Sequence, residues 1–131
     1  MFDINAFYTG YKYAALWSSI DENSDDGNYN LDDKFSDVSP ACRAAMLRDC
    51  YRFAAENAAN LETLREVSEG CDEWRMGFLF WLNRHRHGTG FWDETPGYSI
   101  GDKLSDACEP WSDFCLYGDF DAGVVRSHHY G

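Results

Sequence analysis

The sequence predicts an α+β fold, mostly helical with three to four helices and a C-terminal β-hairpin. Three observations carry that prediction. Apolar residues recur at helical spacing over much of the chain, Ser39–Pro40 writes a helix start, and the tail holds two short strand-like runs around a Gly/Asp turn.

The first helix is expected over about 3–17, where Ile4, Phe7, Tyr8, Tyr11, Ala14 and Ala15 share one face. Gly10 lies inside this run and weakens a helix by about 1 kcal/mol relative to alanine. An acidic loop, about 18–38, comes next in "SSIDENSDDGNYNLDDKFSDVSP". Its Asp21, Glu22, Asp25, Asp26, Asp32, Asp33 and Asp37 face a single base, Lys34, while Leu31 and Phe35 can pin a helical turn to the core. A loop of this length in a small domain is commonly functional.

Ser39 then offers an N-cap hydroxyl, and Pro40 sits at N1, where its missing N–H costs nothing. The stripe Leu47, Cys50, Ala54, Ala58 and Leu61 predicts one long helix from about 40 to 60. Leu64 and Val67 continue the pattern before Gly70 breaks it. Another helix begins near Cys71, with Asp72 and Glu73 in its first turn beside the positive dipole end. Its stripe is Cys71, Trp74, Phe78, Trp81 and Leu82, with Phe80 off the stripe, which points to burial on more than one side. A short helix follows "SIGD" through Leu104, Ala107 and Cys108 and stops at Pro110. The hairpin is expected from Phe114 to Tyr117 and from Val124 to Ser127, around Gly118, Asp119, Asp121 and Gly123.

All 131 residues read as one domain, since 44% hydrophobic and 17% aromatic content can fill a single core. No apolar run reaches the roughly 18 residues of a membrane span. The opening "MFDINAFYTG" has neither a basic region nor an apolar stretch of secretory type. A cytoplasmic protein is expected. The five cysteines are odd in number and lack C-x2-C spacing, so they read as packed thiols, without disulfides or a cysteine metal site.

Charge is distributed unevenly within a net of -12. Residues 41–89 hold seven acids and seven arginines, whereas 1–40 and 90–131 each hold eight acids and two bases. Such a surface repels nucleic acid and anionic membranes and attracts basic partners.

The densest motif is "RHRHGTGFWDE", Arg84 to Glu94. Read structurally, Arg84 to His87 close a helix at its negative dipole end, and Gly88 takes the left-handed capping conformation. Gly90 permits a second turn, and Phe91 and Trp92 return to a core shared with Trp74, Phe78, Trp81 and Leu82. Read as a metal site, His85, His87 and Asp93 would join His128 and His129, but no spacing fixes a third ligand, so no metal is expected. Read as a catalytic site, His87 would be oriented by Asp93 or Glu94. No nucleophile context or phosphate-binding loop accompanies it, so neither a catalytic residue nor a cofactor is expected.

The stretches "ALWSSIDE", "FLFWLNRHRHGTGFWDE" and "GDKL" resemble a family of small acidic proteins encoded by bacteriophages. Its members carry Phe-Trp-Leu, then Thr-Arg-Asn-Gly-His-Gly-Ala-Gly-Phe-Trp-Asp, then Gly-Asp-(Lys/Arg)-Leu. Phe80, Trp81, Leu82, Arg84, His87, Gly88, Gly90, Phe91, Trp92 and Asp93 match, as do Gly101, Asp102 and Leu104. Asn83, His85, Arg86 and Thr89 depart from it, Arg86 standing where the pattern has glycine.

The resemblance implies a phage accessory gene acting in the host bacterial cytoplasm. With the acidic flanks, it leads to the expectation of an inhibitor of anti-CRISPR or anti-restriction type. The partner would be a host protein whose basic, nucleic-acid-binding surface is occupied by the loop acids. The alternative is a small enzyme or ligand-binding domain centred on His87, Trp92 and Asp93.

Overall fold

Gly10, the weak point of the first predicted helix, is where that helix meets its main neighbour. In a computed structural model, which describes residues 2–19, 30–94 and 99–131, helix α1 (Ile4–Ser18) packs along α4 (Glu73–Arg84). A Cβ on Gly10 would lie 1.9 Å from the Trp74 carbonyl oxygen, and one on Gly77 would lie 1.8 Å from that of Phe7. Each glycine admits the other helix's backbone, so the helix-propensity loss is exchanged for close packing.

The remaining described elements are α2 (Pro40–Glu56), α3 (Ala58–Val67), α5 (Ser99–Cys108), and the antiparallel strands β1 (Leu116–Asp119) and β2 (Val124–Ser127). Short 3₁₀ turns form at Leu31–Asp33 and Phe91–Asp93. The fold is therefore α+β and mostly helical with a C-terminal hairpin, as expected, with five α-helices among the described residues instead of three or four. None of them is long and apolar enough to cross a membrane.

The caps follow local chemistry. Cys42 N–H donates to Ser39 Oγ at 3.1 Å with Pro40 opening α2, and Arg75 N–H donates to Asp72 Oδ1 at 2.9 Å to open α4. The single long helix expected from residue 40 is corrected to two. Asn57, at φ -121° and ψ 20°, ends α2 and starts α3. Its side-chain amide donates to the Phe53 carbonyl at 3.0 Å, the kind of local bond by which asparagine competes with the helical ladder.

The core is aromatic at its centre. Phe53 stacks on Phe80 at 4.0 Å, and Tyr11, Phe91 and Trp111 surround them. On α4 the buried residues are Met76, Gly77, Leu79, Phe80, Trp81, Leu82 and Arg84. The expected shared core needs correction here: Trp81, Leu82 and Phe91 are buried, Trp74 and Phe78 are only half-buried, and Trp92 is 46% exposed. Gly77 takes the close approach of α1, while the Trp74 and Phe78 rings lie at the edge of that contact against Tyr13 and Trp17. Cys42, Cys50, Cys71 and Cys108 are buried free thiols, and Cys115 is an exposed one.

The hairpin pairs with the segment that leads into α2. Val38 bridges Val125 in parallel, Ser39 N–H donates to Val125 O at 2.8 Å, and Val125 N–H donates to Asp37 O at 3.0 Å. At the hairpin turn, the Phe120 ring lies 5.0 Å from Phe35. The end of the first acidic flank thus packs against the last part of the second.

Candidate functional site

The glycine-aromatic motif is built from α4 outward. Arg84 is 4% exposed and is used up in structure. Its Nη1 donates to Tyr11 Oη at 2.8 Å and to Asp49 Oδ2 at 3.0 Å, and its Nε and Nη2 donate to the Ser112 carbonyl at 2.9 and 2.6 Å. His85 is held neutral. Its Nδ1 lies 2.8 Å from the Trp81 carbonyl and its Nε2 accepts from Phe114 N–H at 2.8 Å, which assigns the proton to Nδ1. Burial pushes its pKa down to about 4.

The cap is displaced from the expected position. His87 N–H donates to Leu82 O and Arg86 N–H to Asn83 O, a Schellman closure in which Arg86, at φ 56°, is the left-handed residue. Gly88 does have positive φ, at 80°, but it makes a second left-handed turn beyond the cap. The special backbone geometry is therefore present at Arg86 without a glycine. Gly90 is required for another reason: a Cβ there would lie 2.3 Å from Asn83 Oδ1. That oxygen accepts from Phe91 N–H at 3.0 Å and from Ser105 Oγ at 2.9 Å, pinning the return segment to α4 and α5.

His87, Trp92 and Asp93 do not converge. His87 is exposed and lines a cleft of about 400 Å³ with His85, Asp113, Cys115, His128 and His129. Trp92 lines a different one, of about 300 Å³, with Asn83, Arg86, Ser105 and Glu109. The Asp93 carboxylate accepts from the Thr89 hydroxyl, and Glu94 pairs with Arg75 at 2.6 Å. Among the described residues no group of three or more His, Cys, Asp or Glu side chains is arranged to hold a metal ion.

Of the seven loop acids, Asp21, Glu22, Asp25 and Asp26 lie outside the described residues. Asp32, Asp33 and Asp37 are exposed. Asp33 accepts from Asn30 N–H at 3.2 Å, across the 3₁₀ turn. Asp37 accepts from Val38 N–H at 2.8 Å and from Lys12 Nζ at 3.3 Å, and these bonds, the backbone one foremost, lower its pKa. None of the three forms an ion pair with the arginines of α2. Arg48 lies 3.9 Å from Asp49 and over the Tyr130 ring, Arg52 pairs with Glu56 at 3.5 Å, and Arg43 lies over Tyr8.

The ion pairs leave a residue of charge that can be counted. Nineteen of the 23 acids fall within the described residues, and eight of these are ion-paired. The other eleven, Asp3, Asp32, Asp33, Glu66, Glu69, Asp72, Asp93, Asp102, Asp106, Asp113 and Asp121, are all exposed. Phe120, 60% exposed, lies between Asp119 and Asp121 at the turn where the two flanks meet.

Sequence reasoning missed three features. Arg84 as a buried hub and Asn83 as a clamp depend on partners far away in the chain. The third left a signal: Tyr13 and Trp17, four residues apart on the non-core side of α1 and exposed, join the half-buried Trp74 and Phe78 in a row of rings. No protein-family model, curated protein or solved structure matches this chain.

Proposed function

We propose that the protein is a phage accessory interaction protein whose acidic surface docks on a basic, nucleic-acid-binding surface of a host enzyme or defence complex and blocks it. The observation that carries this reading is the set of eleven exposed acids with no ion pair among the described residues. Like-charge crowding of this kind opposes folding through self-repulsion, while it speeds encounter with a basic partner. Carboxylates also satisfy the arginines and lysines that a polyanion would otherwise engage. The two flanks meet at Val38–Val125 and Phe35–Phe120, Asp121 being next to Phe120 in sequence and Asp33 two residues before Phe35.

The test is capture from a host lysate at low and high salt, using the wild-type chain and an Asp32→Asn/Asp33→Asn/Asp121→Asn variant. Recovery of a nucleic-acid-binding protein that is lost at high salt, reduced in the variant and displaced by duplex DNA supports the reading. Capture that is indifferent to all three contradicts it.

A second reading, a ligand-binding or catalytic domain at the motif, is favoured by one observation, the exposed Trp92 ring over its cleft beside Arg86 and Ser105. His87 and Asp93 take no part in that cleft, so this reading now centres on binding by Trp92.

A further inference from the structure

Tyr13, Trp17, Trp74 and Phe78 form a continuous row across α1 and α4. The Trp17 and Phe78 centroids are 5.8 Å apart, Phe78 and Trp74 stack at 5.5 Å, and Trp74 and Tyr13 are 5.4 Å apart. Tyr13 is 51% and Trp17 44% exposed. An apolar row of this length on a strongly acidic surface is unusual for a side of the protein that only faces water. At its Tyr13–Trp74 end the row opens into a groove of about 290 Å³, floored by Leu16 and Phe35 and edged by Asp32 and Lys12.

We propose that this groove receives an arginine side chain of a basic partner, with its guanidinium against the Tyr13 and Trp74 rings and ion-paired to Asp32. The inference rests on the reading of the protein as a binder of basic partners and names the chemistry of the contact. Asp32 is exposed and holds no ion pair among the described residues, whereas Lys12, the cation at the rim, is engaged by Asp37 at 3.3 Å. The groove therefore presents one uncommitted carboxylate next to two aromatic side chains. That set matches a planar, weakly hydrated guanidinium better than a compact ammonium. The chain makes the same contact internally: Arg75 lies over Phe78 at 5.6 Å, and Arg52 lies over Trp111 at 4.4 Å. A second copy of the chain is disfavoured as occupant by the net charge of -12 that it would bring. The groove is also at the small end of the range for cofactor-sized ligands, roughly 300–1,000 Å³, and suits a single side chain.

The experiment titrates the full-length protein with nona-arginine and nona-lysine at fixed salt, by calorimetry and tryptophan fluorescence. Nona-arginine is expected to bind about five-fold tighter or more, the equivalent of about 1 kcal/mol. Tyr13→Leu, which keeps apolar bulk while removing the ring, and Asp32→Asn should each abolish that preference. Asp102→Asn on α5, outside the groove, should weaken both peptides alike and leave the preference intact. Equal binding of both peptides, or a preference unchanged in Tyr13→Leu, overturns the groove while the acidic-surface reading stands. Failure of both peptides to bind overturns the two together.

Discussion

The Arg84 guanidinium and the Asp49 carboxylate meet at 3.0 Å with their side chains 5% and 14% exposed, which ties the last turn of α4 to α2. Two charges drawn out of water stay stable only while both are present and hydrogen-bonded. Asp49→Ala leaves the guanidinium with Tyr11 and Ser112 alone, and should cost about 3–5 kcal/mol in denaturant unfolding. Glu56→Ala, which breaks the exposed Arg52 pair at 3.5 Å, should change stability by less than about 1 kcal/mol.

Gly10→Ala separates two opposed effects. Helix propensity alone favours alanine by about 1 kcal/mol. The new methyl would fall 1.9 Å from the Trp74 carbonyl oxygen, so α1 and α4 must part. The expected net result is destabilisation of about 1–3 kcal/mol, read as a lowered melting temperature.

The left-handed Arg86 gives a comparison free of side-chain interactions. Arg86→Gly and Arg86→Ala both remove the contacts to Glu109, but only glycine is at ease at φ 56°. The glycine variant should be more stable than the alanine variant by about 1 kcal/mol in equilibrium unfolding.

His85 should make stability fall on acidification. In the folded chain its pKa is pushed down to about 4 from an ordinary 6.5, chiefly by burial. Between those values the unfolded chain binds the proton and the folded chain does not. The contribution is therefore fully present above about pH 6.5 and is lost as pH falls towards 4. One pKa unit corresponds to about 1.4 kcal/mol, so the loss is at most about 3 kcal/mol. Unfolding free energies measured from pH 7 to pH 4 should drop less steeply in His85→Gln than in wild type.

Local signals in the sequence were legible. Ser39 and Pro40 start α2 because the cap is made within three residues, and the hairpin turn forms around Gly123 because its positive φ suits glycine. The errors came where partners are distant. Helical spacing puts Trp74 and Phe78 on one stripe with Trp81, but spacing does not show that Gly10 takes the Trp74 backbone and Gly77 the Phe7 backbone, contacts sixty-four and seventy positions apart. Arg84 at a helix end reads as a cation satisfying the dipole. Its burial follows from Tyr11, Asp49 and Ser112, which are 73, 35 and 28 positions away. The motif was legible as a helix end followed by a return to the core, but the cap lies two residues earlier, at Arg86, where composition gave no reason to expect a left-handed residue.

The central claim is that exposed carboxylates drive docking on a surface that otherwise holds nucleic acid. The most direct measurement is the association rate of the purified captured host protein with this chain, as a function of ionic strength and with duplex DNA as competitor. The account predicts a rate that falls steeply with salt, a flatter dependence for Asp32→Asn/Asp33→Asn/Asp121→Asn with the fold intact, and mutually exclusive binding with DNA. A salt-independent rate, together with a complex in which DNA and this protein are bound at once, would contradict it.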